Sequence, residues 1–396
     1  MSMKPKVPPA KLVVAWLTMF LVGTELFVLS PLLPILAADY QISPAAAGLS
    51  VTVFSLAYMV SAPLFGYLAD RIGRRRVLIC SLLAFGAANL LTASAANLPW
   101  LLAVRLFAGA AAAGISPSIY LCARGQCRST GSPRHLAGTG CVGAIGVARA
   151  RRIDWSPGRL IFWLGARICR SRWSQPGACM AKLSSLAVGA PSNRCCWGCS
   201  SPLAAAALAR RLMPMVVWST GLYAVYTYLG TDLSAIGFST GQTVRAILSY
   251  GCGGIAGALI GGCVADRVGV KFTAGVSLAG FCACLLLLRL ALDRGVLVEL
   301  SLGLSSAVAQ LFFPAQQAGL TNDFPSQRAT ALAWNNSALF LGVSLGSLVG
   351  GEAIAIGNFD ANLTISAGIA LIGCMINAIV VPGPAGLRAS RVNDSR

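Results

Sequence analysis

Two charged residues lie where charges are expensive. Glu25 stands in Gly23-Thr24-Glu25-Leu26-Phe27, the one charge in an apolar run from Leu12 to Ala38. A carboxyl held away from water titrates nearer neutral pH than one in solution, so this place suits a proton or a cationic substrate. The structural alternative is a neutral glutamic acid bonded to a neighbouring helix. Arg105 lies inside a second apolar run, Leu101-Leu102-Ala103-Val104-Arg105-Leu106-Phe107-Ala108-Gly109. An arginine within a span must face a cavity or an acid, or snorkel to an interface.

A compact charged stretch occurs twice. Gly66-Tyr67-Leu68-Ala69-Asp70-Arg71-Ile72-Gly73-Arg74-Arg75-Arg76 separates two apolar runs, and Gly262-Cys263-Val264-Ala265-Asp266-Arg267-Val268-Gly269-Val270-Lys271 separates two more. Gly66, Ala69, Asp70, Arg71 and Gly73 recur as Gly262, Ala265, Asp266, Arg267 and Gly269, each 196 positions on in a chain of 396. A turn used twice at half the chain length means two similar halves. Gly66 and Gly73 allow close helix approach and a tight turn. Asp70 at a helix end can pair with a neighbouring arginine, making a latch that breaks when the halves rock. A cluster that only set orientation would need no Asp or Gly at fixed spacing. The second copy has Val270 where the first has Arg74, so its latch is expected to be weaker.

Charged residues are 11% of the chain, apolar ones 56%, and mean hydropathy is +0.72. A soluble domain carries about 25% charged residues, so lipid must be the solvent for much of this chain. The formal charge of +19 raises nucleic acid as a partner. The charge lies in short clusters between apolar runs, the pattern of cytoplasmic loops, so no nucleic-acid partner is expected. No Ser-His-Asp set, metal-ligand set or phosphate loop appears. The chain reads as a non-enzyme with no cofactor and no metal.

The elements that must position these residues are long apolar helices. The patterning predicts spans 1 to 4 at about 12–36, 47–69, 76–96 and 98–121. Spans 7 to 12 follow at about 213–231, 244–265, 271–292, 295–318, 328–352 and 362–383. The run after Met1–Lys11 is too long for a cleavable signal and spans about 40 Å as a helix. Lys4, Lys6 and Lys11 precede span 1; Arg71, Arg74, Arg75 and Arg76 follow span 2; Arg267 and Lys271 follow span 8; Arg388, Arg391 and Arg396 follow span 12. With twelve spans all four basic sets share one side, so both termini are expected in the cytoplasm, in a multi-pass protein of the inner (cytoplasmic) membrane. Asp232 and Arg245 border the loop between spans 7 and 8 and read as solvated ends.

Residues 122–200 break the pattern. They hold 8 of the 14 cysteines, 4 of the 8 tryptophans, 11 arginines, the histidine His135, and Asp154 as their one acid. Spans 5 and 6 belong here, yet Arg149, Arg151, Arg152, Arg159, Arg167, Arg170 and Arg172 interrupt every candidate. A charge at the bilayer centre costs about 2.5–3.5 kcal/mol on the insertion scale. A zinc or disulfide site would use Cys195, Cys196 and Cys199 with Cys122, Cys127 or His135, but the spacing is irregular. A basic domain for anionic lipid is a second reading. The favoured reading is translation out of frame between compensating shifts near 122 and 200. Arg, Cys and Trp codons read one base later begin with G and give Gly, Ala, Val, Asp or Glu. The domains are then 1–200, an N-terminal six-helix bundle with 122–200 anomalous, and 201–396, a C-terminal six-helix bundle and tail.

With these residues in view, the chain resembles the major facilitator superfamily, specifically its twelve-helix drug–proton antiporters, over about 1–121 and 205–385. Gly66-x-x-x-Asp70-Arg71-x-Gly73-Arg74-Arg75 is similar to the family's signature between helices 2 and 3. Arg105 in its run is similar to the family's helix 4 signature, and Pro31-x-x-Pro34 to a helix 1 feature. The resemblance implies an all-α membrane fold of twelve transmembrane helices in two pseudo-symmetric six-helix bundles around a central cavity, working by alternating access. It implies that Glu25 and Arg105 couple protons to substrate. It implies that Gly66, Asp70, Arg71, Gly73 and Arg74, with Asp266 and Arg267, form the conformational latch.

The expected function is efflux of a small, apolar, drug-like compound against inward proton flow. The expected partners are that substrate, protons and the lipid bilayer, with a monomer as the working unit. Export of a natural metabolite (a sugar, purine or amino acid) is the alternative within transport. A non-transporting membrane sensor or enzyme, or an inactive product of a frameshifted gene, are the alternatives outside it. Tyr223, Tyr226 and Tyr228, Gln310, Gln316 and Gln317, and Asn335 and Asn336 are the cavity candidates, since aromatic and amide groups suit an apolar, mildly polar ligand. Interhelical bonding is the competing role for each of them. Gly342, Gly346 and Gly350 lie four apart and predict close helix packing.

Overall fold

The computed structural model describes residues 23–25, 29–115, 202–292, 295–325 and 327–380. The anomalous segment 122–200, the basic residues before span 1 and after span 12, and the side chains of Asp70 and Arg74 lie outside the described residues. Those described form helices joined by short turns. Residues 23–25 are helical, and α1 follows at Leu29–Asp39. Then come α2 Pro44–Ile72, α3 Arg74–Thr92 and α4 Leu98–Ala113. After the gap come α5 Pro202–Ala235, α6 Thr240–Val268, α7 Val270–Leu290, α8 Gly295–Gln310, α9 Phe312–Asp323 and α10 Arg328–Val380.

Local chemistry accounts for the ends. The Ser43 hydroxyl accepts from the Ala46 N–H at 3.2 Å, with Pro44 in the first turn of α2. Asn97 caps α4 through the Trp100 N–H at 3.0 Å. Ser239 and Gln242 form a reciprocal capping box on α6. Each satisfies N–H groups that a helix start leaves free. The predicted span 10 breaks into α8 and α9 at Leu311, because Pro314 has no N–H to give the Gln310 carbonyl and its ring crowds that oxygen.

α10 is one unbroken helical run of 53 residues. Straight, it would be about 80 Å long, far more than a bilayer core. Its packing shows that it folds back. Gly342, Gly346 and Gly350 follow α5 from Val216 to Ala224, whereas Asn362, Ser366 and Gly373 follow α5 from Asp232 back to Val217. The reversal sits at Asn358, whose φ is +64°. The predicted spans 11 and 12 are therefore both present, at Thr330–Ile356 and Asn358–Val380. Together with Pro44–Ala69, Thr240–Val268, Val270–Leu290 and Gly295–Asp323, six described helices are long and apolar enough to cross a membrane.

The two charged turns have the same backbone. Gly73 separates α2 from α3 with φ +97°, and Gly269 separates α6 from α7 with φ +96°. Side chains rarely tolerate this region, so glycine makes each one-residue turn possible. Gly66 behaves differently from expectation. A Cβ there would meet nothing within 4 Å, so no described helix approaches α2 at that point. The close approaches lie elsewhere and repeat between the halves. Gly109 of α4 sits on the Phe54 backbone of α2, as Gly253 and Gly257 of α6 sit on Gly303 and Ala307 of α8.

Two apolar clusters form the interior. One unites Phe54, Tyr58, Phe85, Val104 and Ile115 and takes in Phe340 from α10. The other unites α5 to α10 and takes in Leu29, Leu33, Ala47 and Val51 from α1 and α2. The parts are thus interlocked. Phe340 stacks on Tyr58 at 3.5 Å between centroids, and the Ser347 hydroxyl donates to the Gly48 carbonyl at 2.9 Å. The glycine face 342–346–350 packs on α5, where any Cβ would press into the backbone carbonyls of Val216, Thr220 and Ala224.

Candidate functional site

Arg105 lies on the buried face of α4, beside Leu101, Val104, Ala108 and Gly109. Gly109 lets α4 rest against α2, and the guanidinium carbon lies 4.9 Å from the Phe54 ring centroid. From there Arg105 Nη1 donates to Glu25 Oε1 in an ion pair. The two intramembrane charges read from the sequence, eighty positions apart, are each other's partners. Arg105 is 1% exposed, and its Nε and Nη2 have no acceptor. Such orphaned donors are rare in a native interior.

A cavity of about 260 Å³ opens beside this pair. Glu25, Leu29, Leu32, Ser50, Leu101 and Arg105 line its inner part, and Asp39, Tyr40 and Thr92 its mouth, at the end away from the charged turns. The Tyr40 hydroxyl donates to the Ala95 carbonyl at 2.8 Å and ties the two turns at the mouth together. A proton on the Glu25 carboxyl would cancel the ion pair while leaving Arg105 charged. The site can therefore trade a carboxylate partner for a proton or for an acceptor group of a ligand.

The charged turns hold fewer contacts. Arg71 is exposed, with its guanidinium 4.6 Å from the Tyr67 ring centroid. Asp266 and Arg267 are exposed and make no ion pair among the described residues. The buried ion pair at that end is Arg211–Asp323, which sequence reading missed. Arg211 Nε donates to Asp323 Oδ2 at 2.7 Å and Nη2 bonds the same oxygen. The residues come from α5 and α9, 112 positions apart, and each sits in polar sequence that resembles an ordinary span end.

The cavity candidates separate into groups. Tyr223 and Tyr226 of α5 are buried and stand edge to face at 6.3 Å, and Tyr226 lies 5.1 Å from Tyr250 of α6. Gln310, half-buried, ends α8. Asn335 of α10 is fully buried, and neither its amide nitrogen nor its oxygen has a partner; Asn336 beside it is half-buried. Gln316 does not join them. Its amide donates to the Arg211 carbonyl at 2.8 Å, which holds α9 to α5. Tyr228 bonds the Ser347 carbonyl at 2.8 Å. Asp232 corrects the expectation of a solvated end. It is 2% exposed and accepts from the Asn362 amide at 3.2 Å, because the chain reversal after Asn358 lays α10 over it. Arg245 does face water, paired with Glu299 at 3.1 Å. No cluster of His, Cys, Asp or Glu suited to a metal occurs among the described residues, and Cys195, Cys196, Cys199 and His135 lie outside them.

Comparison with known proteins agrees with this architecture. An uncharacterized MFS-type transporter of Bacillus subtilis, YceJ, is 27% identical over 354 residues, covering 84% of this chain and 86% of that one. A chloramphenicol resistance protein of Streptomyces lividans is 29% identical over 258 residues, 62% of this chain and 64% of that one. The crystal structure of the human organic anion transporter MFSD10 superposes with a TM-score of 0.69 at 18% identity, covering 94% of this chain and 100% of that one. The Major Facilitator Superfamily profile matches residues 15–148 and 203–393. The all-helical fold, the twice-used glycine turn and this match lead to one conclusion: the chain is a multi-pass membrane protein of the Major Facilitator Superfamily.

Proposed function

We propose that the protein exports a small, apolar, drug-like compound across the cytoplasmic membrane in exchange for protons. The observation that carries this reading is the Glu25–Arg105 pair, buried beside a cavity that reaches one end of the bundle. A carboxylate that can be neutralised only by a proton or a cation, with an arginine that must then find another acceptor, couples two ligands at one place. Glu25 is the proton site and Arg105 its partner. The turn Gly66, Asp70, Arg71, Gly73 and Arg74, with Asp266 and Arg267, is the latch between the halves. Tyr223, Tyr226, Gln310, Asn335 and Asn336 shape the substrate cavity, where the unpartnered Asn335 amide offers a ligand one donor and one acceptor.

Read in frame, both bundles have six spans, the charged turns face the cytoplasm, and the monomer suffices. The similarity to a chloramphenicol resistance protein supplies the test compound. Chloramphenicol retention in cells expressing the frame-corrected chain should fall, and a protonophore should restore it. Export that persists with the protonophore would reject proton coupling.

We also propose that 122–200 is read out of frame. The family match covers 122–148 and breaks off between 149 and 202, where eight of the segment's eleven arginines lie, so its support falls on that later part. Sequencing the gene across codons 115–205 decides this. A shifted frame that reads as Gly, Ala and Val supports it, and one carrying stops or charges rejects it.

A further inference from the structure

A second cavity, of about 1340 Å³, lies in the C-terminal half at the end that carries the charged turns. Nothing in the export mechanism uses it. Its polar wall is Arg211, Lys271, Asn322, Asp323, Arg328 and Asn377. Three cations face one carboxylate, so the wall is basic overall.

Arg211 is the centre of this wall. It is 6% exposed, and Nε and Nη2 serve Asp323. Nη1 is buried with no acceptor. A guanidinium donor shut away from water and unpaired is costly unless something supplies an acceptor. The N-terminus of α7 opens onto the same cavity through Gly269, Val270 and Lys271, and no side chain caps it. A helix start presents free N–H groups and a partial positive charge to an anion. Arg211 and this helix start are adjacent, since a Cβ on Gly319 would touch both Arg211 Nη2 and Val270 at 2.9 Å. The half-buried Lys271, its ammonium held by the Ala378 carbonyl at 2.9 Å, adds a further positive charge at the rim.

The rest of the lining is apolar. Phe272, Val276 and Ala279 follow one face of α7 away from the charged end, over about 10 Å. Phe272 is 60% exposed and Val276 45%. An anion that brings its own hydrocarbon matches a basic head joined to an apolar groove. We propose that this cavity binds the phosphate of an anionic phospholipid, with Arg211 and the α7 N-terminus on the phosphate and the Phe272–Ala279 face along an acyl chain.

The test is native mass spectrometry of the purified full chain with phosphatidylglycerol, phosphatidylcholine or inorganic phosphate added separately. Phosphatidylglycerol should remain bound at one per chain and outlast phosphatidylcholine. Lys271→Gln, at a half-buried position on the rim, keeps the fold and should lower retention about fivefold. The double variant Arg211→Gln/Asp323→Asn removes the pair without leaving a buried charge and should abolish the adduct. If that variant does not fold, Lys271→Gln and Arg328→Gln carry the test. Retention unchanged in Lys271→Gln and Arg328→Gln overturns the proposal, as does equal retention of the two lipids. Inorganic phosphate that binds where phosphatidylglycerol does not would also overturn it.

Discussion

Arg105 and Arg211 are both buried, and each is paired with a carboxylate from a distant part of the chain. Arg105 gives Glu25 one nitrogen and leaves two without acceptors, beside a cavity. Arg211 gives Asp323 two nitrogens, and its own carbonyl is held by Gln316. The first pair rests on one nitrogen and leaves two donors free for a competitor. The second is a clamp between α5 and α9. Burying two charges is expensive, and breaking such a pair costs more than the pair gains. The same residue types can thus serve exchange in one half and rigidity in the other, according to how many donors are committed.

That contrast can be broken experimentally. Asp323→Ala leaves Arg211 buried and unpaired and should cost about 3–5 kcal/mol. Thermal denaturation of the purified protein should show a large drop in Tm. Glu25→Gln keeps an acceptor for Arg105, so its loss of stability should be smaller while gradient-driven export falls to background. Equal stability losses in the two variants would mean that both pairs are clamps.

Gly73→Ala and Gly269→Ala each force a side chain into a positive-φ turn and should each cost about 1–3 kcal/mol. Similar losses would support equivalent turns, and a loss at one alone would break the symmetry. Asp266→Asn should change stability by no more than about 0.5 kcal/mol, because Asp266 is exposed and makes no ion pair among the described residues, while export falls as a latch role requires. Unchanged export in that variant would remove Asp266 from the latch.

Much of the fold was legible because bilayer physics leaves few options. Long apolar runs, basic turns and the repeat at 196 positions placed most described helices to within a few residues, but span 4 was drawn past the Ala113 end of α4, the break at Leu311 was not foreseen, and α5 was drawn too short. That helix extends back to Pro202 through Arg210 and Arg211, which the hydropathy pattern read as loop. Glu25 and Arg105 stood out because charge in an apolar run has no ordinary reason to be there. Their pairing was not legible, since it depends on how α4 packs beside the helical stretch that carries Glu25. Arg211–Asp323 and Asp232–Asn362 were missed for the opposite reason. Each residue lies near a predicted span end, where charge is unremarkable, and only helix packing buries it. Gln316 fits the competing role of interhelical bonding, since its amide donates to the Arg211 carbonyl, which the sequence does not reveal.

Proton flux measured in proteoliposomes on adding chloramphenicol, for the wild-type chain and Glu25→Gln side by side, tests the coupling most directly. The wild-type protein should move protons when chloramphenicol is added. Glu25→Gln should still exchange labelled for unlabelled chloramphenicol without moving protons. Proton flux in Glu25→Gln equal to the wild type would contradict the assignment of Glu25 as the proton site.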